Sequence, residues 1–406
     1  MSNQPVLIVG AGPSGLACAR TLHEAGRAAT VLESSMRVGG RLGSTVVDGV
    51  VCDLGFQVSM SNYDQLEILA PRDVAPRHAF TPGAIVVTEA RRIRMVDPGR
   101  EPLAGLGAWW NGLAKFRDLR AALRCRRRAS SVVAGGHEPG TAIDCIESAG
   151  FSAGFTESFL RPFFGGVMLD EHLDVPADRF LRTLHRFATG SAELPAGGMQ
   201  SLADALAAPI HSNIQYGRVV KSVVPGAVEL ADGGRIEGSE VVLATPFDVS
   251  SQLLGQDSSG EDAEWSGTTA VYFTSPKPVI DEPIIVLNGR GRGSLNLVCS
   301  PTAVAPGMAP SGTHSILASL RPGHRDSSDI DLAAIRDEAA DLLGVDGAGW
   351  SHLVTTDVPH ALPRPGASPG VSPPPGVRFA GDWMEDPSIE NSVRIGIQTA
   401  REILAS

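Results

Sequence analysis

Four apolar residues, Val6-Leu7-Ile8-Val9, run directly into Gly10-Ala11-Gly12-Pro13-Ser14-Gly15. A short continuous apolar run marks a strand buried on both faces of a parallel sheet. The glycine spacing restricts the backbone that comes after this strand. Gly10 permits a tight strand-to-helix turn, Gly12 lets a pyrophosphate approach the backbone, and Gly15 lets the helix pack close to the strand. That helix carries Leu16, Ala19 and Leu22 on one face and meets a stop signal at Gly26. Its first turn, which opens at Pro13, presents the free N–H groups from Ser14 onward and the positive end of the helix dipole to phosphate. A second strand, Ala29-Thr30-Val31-Leu32, ends at Glu33 with Ser34 behind it. An acid about 20 residues beyond the glycines accepts ribose hydroxyls and repels a 2′-phosphate. This unit predicts a dinucleotide site; by itself it does not separate NAD from FAD.

The rest of the chain is long enough for a second domain. It has 406 residues, 43% hydrophobic and 19% charged, with a formal net charge of −11. Such a composition excludes a disordered chain, and the acidic balance argues against a nucleic-acid binder. The five cysteines have no CxxC spacing, so neither a disulfide framework nor a metal site is expected, and a reducing cytoplasm is. Helical periodicity is expected from about Phe80 to Phe187. Short strands are expected around Val219-Val220, Ala227 to Leu230 and Val241 to Ala244, with a hairpin turn at Asp232-Gly233-Gly234. Ala270 to Phe273 and Ile284 to Leu287 read as strands of another sheet. Leu332 to Leu343 reads as a helix closed by Gly344. Pro359 to Gly376 contains seven prolines and reads as a connecting loop. It precedes a strand at Val377 to Ala380 and a last helix striped by Ile389, Val393, Ile397 and Leu404. The α/β signals at both ends and in the middle imply a Rossmann-like domain assembled from 1–75, 196–262 and 376–406. A second domain, a mixed sheet with helices, would take 76–195 and 263–375.

Three further blocks narrow the cofactor. Val38-Gly39-Gly40-Arg41-Leu42 follows Glu33; Val219-Val220-Lys221-Ser222-Val223 is paired with Ala244-Thr245-Pro246; and Arg378-Phe379-Ala380-Gly381-Asp382 precedes Ser388-Ile389-Glu390-Asn391-Ser392-Val393. In that order they resemble the glutathione-reductase-type FAD proteins, specifically the flavin amine oxidase and phytoene desaturase superfamily. The resemblance implies non-covalent FAD. Gly39, Gly40, Arg41 and Leu42 would run beside its pyrophosphate, and Val219 and Val220 beside its adenine. Ala244 and Thr245 would lie at a strand end near the cofactor, and Gly381 and Asp382 at a ribityl hydroxyl. Ser388, Ile389 and Asn391 would open a helix aimed at the flavin pyrimidine. Asp53-Leu54-Gly55-Phe56-Gln57 matches the segment that runs toward the ring. Relatives usually have Gly-Ala where this chain has Asn391-Ser392.

In such a protein the cofactor carries the hydride chemistry and the chain supplies a pocket. No catalytic triad or metal motif is present. The pocket is expected from Gln57, from Phe163, Phe164 and Met168 of the segment Phe159-Leu160-Arg161-Pro162-Phe163-Phe164-Gly165-Gly166-Val167-Met168-Leu169, and from Trp383. That segment and Leu194-Pro195-Ala196-Gly197-Gly198-Met199 resemble a desaturase-like branch of the superfamily. Amine oxidases of the superfamily often carry a lysine near the flavin. The nearest counterpart, Lys277, lies in a loop-like Ser275-Pro276-Lys277-Pro278, and the tyrosines number only three. These features favour dehydrogenation of a hydrophobic small molecule over amine oxidation with oxygen; a non-redox isomerase or mutase on the same scaffold stays open. His185 and His360 are expected to be structural or surface residues. No spanning helix is expected. The segment 113–128 combines Lys115, Arg117, Arg120, Arg124, Arg126, Arg127 and Arg128 with Leu113, Phe116, Leu119 and Leu123, behind Trp109-Trp110. It fits either a solvated helix face or peripheral contact with an anionic membrane.

Overall fold

The computed structural model describes residues 4–96, 112–255, 265–322, 330–368, 370 and 372–406. A parallel sheet of five strands stands at its base. In spatial order these are Ile214–Gln215, Ala29–Leu32, Val6–Val9, Val241–Leu243 and Val377–Phe379. Register pairs Val9 with Leu32 on one side and Leu243 on the other, so the strand ends line up beside the glycine turn. The mixed α/β architecture matches the expected Rossmann-like arrangement with a second, mixed sheet.

The first helix, Pro13–Glu24, lies against the last, Ile389–Ala405. Two glycines permit this closeness. A Cβ at Gly15 would stand 2.1 Å from the Gly10 carbonyl oxygen, and one at Gly396 would stand 2.1 Å from the Ser14 carbonyl oxygen. Around the contact, Leu16, Leu22, Leu202, Leu206 and Val393 form one buried core.

The second sheet has seven strands. They run Ser351–Pro363, Trp265–Ser275, His314–Leu320, Leu295–Cys299, Ile285–Asn288, Gly83–Val87 and Arg92–Val96. This sheet corrects two expectations. The stretch after Phe80 begins with two strands, Gly83–Val87 and Arg92–Val96, before helices take over. Gly-Ala-Ile-Val-Val is too short an apolar run for periodicity to tell strand from helix, and pairing with Ile285–Asn288 decides it. Pro359 to Pro363 is not loop but the end of a 13-residue strand. That strand is at the sheet edge, where a proline removes no ladder hydrogen bond that a neighbour requires.

The turn at Asp232-Gly233-Gly234 does join a hairpin, Ala227–Leu230 with Arg235–Glu237, whereas Val241–Leu243 leaves it for the parallel sheet. Helices Phe116–Val133, Ala142–Ala149, Arg161–Met168 and Ala177–Thr189 pack around Cys125, Ile146, Phe164 and Phe180. On the basic helix, Arg117 donates to the carbonyls of Gly150 and Phe151 and Arg124 to that of Ala149, while Arg128 reaches Ser148 and Glu138. These three cations therefore serve the C-terminal end of the Ala142–Ala149 helix. Trp109 and Trp110 lie outside the described residues. Among the described residues no helix is long and apolar enough to cross a membrane.

Gly396→Ala is expected to destabilise the protein by about 1–3 kcal/mol through overpacking against Ser14. Gly349→Ala, where a Cβ meets nothing within 4 Å, should shift stability by less than about 0.5 kcal/mol. Denaturant midpoints of the two variants check this.

Candidate active site

A cavity of about 1390 Å³ runs from the glycine turn of the parallel sheet to the helices at 116–189. At its first end the separate sequence blocks meet. The wall there contains Gly10, Gly12, Pro13 and Ser14, then Glu33 and Ser34, then Gly39, Gly40, Arg41 and Leu42. Ala244 and Thr245, Gly381 and Asp382, and Ser388, Ile389 and Asn391 complete it. Backbone bonds tie the pieces together. Gly39 N–H donates to Ala11 (2.8 Å), Ala244 N–H to Val9 (2.9 Å) and Ala380 N–H to Leu243 (2.8 Å).

The polar groups of this end are individually positioned. The buried Glu33 carboxylate accepts from Ala11 N–H and from Ser35 N–H, both at 2.8 Å. Arg41 donates to the Asp382 carboxylate at 2.6 Å and to the Ala361 carbonyl at 3.0 Å. The pair joins two blocks 341 residues apart in sequence. Gln57 donates its side-chain amide to the carbonyls of Leu54 (2.6 Å) and Arg41 (3.0 Å), so it props the Arg41 loop while facing the cavity. Asn391, the departure from Gly-Ala, donates its side-chain amide to the Asp386 carbonyl at 2.7 Å and pins the turn before the last helix. Ser388 caps that helix by accepting from Asn391 N–H.

Five of the expected residues lie outside the cavity wall. Gly15 faces Gly10 and Ala244 instead. Met168 is buried in the helical core. Trp383 turns behind the wall, donating its indole N–H to the Thr245 carbonyl at 3.2 Å and packing edge-on against Phe379. Val220 opens the outer three-stranded sheet and Val219 is 49% exposed. They follow Arg218, whose N–H donates to the Glu33 carbonyl at 2.8 Å, so they flank the Glu33 corner rather than line it.

The far end is aromatic. Phe155, Phe159 and Phe163 stand in a ladder with centroids 5.3 and 5.5 Å apart, and Phe187 closes on Phe163 at 5.0 Å. The ladder rides on a π-helical turn, Thr156–Leu160, that leads into Arg161–Met168; such turns recur at functional sites. Phe164 also lines the cavity. Of the three tyrosines only Tyr63 is in the wall; Tyr272 is buried and donates to the Asp53 carbonyl. Lys277 is exposed at a turn, and no lysine is among the described wall residues. His185 lines the cavity, whereas His360 stacks on Trp265 beside Asp248. Sequence reasoning missed one feature. Arg179, Arg182 and Arg186 all line the cavity from the Ala177–Thr189 helix, and their i, i+3, i+7 spacing on one face was the available signal.

Could this cavity receive FAD? At Gly12 a Cβ would meet nothing within 4 Å, so the backbone there faces open space. No side chain caps the Pro13–Glu24 helix, leaving its first N–H groups for an anion. A fixed carboxylate at Glu33 and the Arg41–Asp382 pair sit in the same wall. This donor set suits a pyrophosphate joined to two polyol sugars.

Comparisons with known proteins agree. The family model of flavin containing amine oxidoreductases matches residues 13–404, and the chain belongs to that family. A stretch of 65 residues is 52% identical to putrescine oxidase of Kocuria rosea, spanning 16% of this chain and 13% of that protein's length. Two solved structures share the fold across nearly the whole chain. An oxidoreductase from Methanosarcina mazei has a TM-score of 0.77 at 17% identity, covering 98% of this chain and all of the other. Reduced UDP-galactopyranose mutase has a TM-score of 0.71 at 14% identity, covering 99% and 96%. FAD is the cofactor this membership implies, and the residues present fit it.

Asp53, which starts the segment leading to Gln57, is fully buried, and burial pushes its carboxyl up to about 6. Ser44 Oγ at 2.5 Å and Met199 N–H at 2.8 Å oppose the rise by donating to it. The folded protein thus holds this proton more tightly than the unfolded chain does. Its contribution to stability is fully present below about pH 4, falls as pH rises to about 6, and is flat above, a change of about 3 kcal/mol. Asp53→Asn keeps an acceptor for both donors and should lack this fall. Unfolding free energies of both proteins at intervals from pH 4 to 7 check it; parallel curves would refute the assignment.

Proposed function

We propose that the protein is an FAD-dependent oxidoreductase that dehydrogenates a hydrophobic small molecule. The observation that carries this reading is one continuous cavity whose first end suits a dinucleotide and whose second end is the ladder Phe155, Phe159, Phe163. Bound FAD supplies an acceptor for a hydride, at N5 of the flavin. The chain's own residues do the rest. Gly10 to Ser14, Glu33 and the Arg41–Asp382 pair hold the cofactor. Gln57 and Asn391 fix the backbone loops beside it. The aromatic ladder excludes water and orients the apolar substrate by ring contacts. FAD is held without a covalent bond in this reading. The one cysteine among the described wall residues, Cys125, is hydrogen-bonded to Cys145 and buried, which keeps its thiol protonated.

Residues 1–75, 196–262 and 376–406 form the FAD domain in this proposal, and 76–195 with 263–375 the substrate domain. The exposed Leu119 and Leu123, beside Arg120, Arg126 and Arg127, suit peripheral contact with an anionic membrane from which an apolar substrate enters.

The purified protein should be yellow, and heat should release free FAD to the supernatant. Colour kept by the precipitate would mean a covalent link. Under anaerobic conditions, apolar substrates should bleach the flavin and leave a product lighter by two hydrogens. Bleaching by amines, with peroxide formed once oxygen is admitted, would replace the reading with amine oxidation. Turnover at unchanged product mass would replace it with isomerisation.

A further inference from the structure

The three cavity arginines of the Ala177–Thr189 helix differ in their partners. Arg182 donates to the Asp386 carboxylate at 2.6 Å. Arg186 donates to the Asn62 carbonyl at 2.5 Å, with its guanidinium over the Tyr63 ring. Arg179 is only 6% exposed, lines the cavity, and has no hydrogen bond or ion pair among the described residues.

The carboxylates whose fields reach it belong to Asp386, Asp170 and Asp382, and each is occupied elsewhere. Arg182 holds Asp386, Arg41 holds Asp382, and the N–H groups of His172 and Val175 hold Asp170, both at 3.0 Å. A buried guanidinium with five donors and no acceptor is costly unless something supplies one. Burial accordingly pulls its pKa below the ordinary arginine value.

Arg179 also borders a second pocket of about 160 Å³ with Trp383, Asp386 and Pro387, which places it at the turn before the last helix. The glycine cradle already has an anion site of its own in the Pro13–Glu24 helix terminus.

We propose that Arg179 binds the acidic group of the substrate, making the substrate class an apolar body that carries an oxyanion. This rests on the reading of the cavity as a joint chamber for flavin and substrate. A planar guanidinium matches a carboxylate in two parallel hydrogen bonds, which a lysine cannot reproduce. A cationic amine is repelled from the same point, in keeping with a wall that has no lysine among its described residues.

The test uses the purified holoenzyme and three probes of equal shape: 4-phenylbutyrate, 4-phenylbutanamide and 4-phenylbutylamine. Calorimetry reads binding, and the visible spectrum reads FAD content separately. Wild type should bind the carboxylate at least about tenfold more tightly than the amide or the amine. Arg179→Met should bring the carboxylate within about threefold of the amide, leaving amide binding and FAD content unchanged, and Arg179→Lys should recover part of the preference. Equal binding of carboxylate and amide by wild type overturns the proposal. So does loss of FAD from a folded Arg179→Met, which would assign the arginine to the cofactor. A colourless wild-type protein would instead sink the flavin reading, while calorimetry would still report the anion preference.

Discussion

Everything at the cofactor end depends on how closely three backbone segments approach one another. The first strand, the first helix and the last helix meet where Gly15 and Gly396 leave no side chain between them. Add a methyl group at either position and it would stand 2.1 Å from a carbonyl oxygen. The helix start at Pro13 and Ser14 would then move, and with it the N–H groups that await a phosphate. The Gly39–Ala11 and Ala244–Val9 bonds hang from the same turn, so the wall is a consequence of that packing.

Arginine is used in three ways around the helices. Arg117 and Arg124 quench helix-end carbonyls, Arg41 and Arg182 neutralise buried or half-buried aspartates, and Arg179 is left facing the cavity. The chain as a whole is acidic, at −11. A net charge says little about a site where the local arrangement sets the sign of the partner it accepts.

Much of the cofactor end was legible in the sequence, because backbone geometry there admits few residue types. Gly10, Gly12, Glu33, Arg41 and Asp382 could be named from spacing and resemblance, and the fold brings them into one wall. The substrate end was less legible. Met168 and Trp383 are large apolar residues beside real wall residues, and only side-chain direction separates core from cavity. The strands at Gly83–Val87 and Ser351–Pro363 were hidden for different reasons. One is a short apolar run, and the other carries prolines that only an edge position tolerates. The spacing of Arg179, Arg182 and Arg186 places all three on one helix face, but only the tertiary contacts show that Arg182 and Arg186 have partners and that Arg179, among the described residues, does not.

The strand order has a consequence for how the protein is made. The turn that receives phosphate is synthesised long before the helix that covers it, Ile389–Ala405, and before Val377–Phe379, two strands away in the same sheet. At typical elongation rates the interval is on the order of tens of seconds. Throughout it the apolar face of the first helix, around Leu16 and Ala17, lacks the cover that Val393 and Gly396 later provide. Throughout that interval the growing chain carries an unshielded apolar surface, the kind that chaperones cover, because the topology of the sheet separates the two helices so widely in sequence.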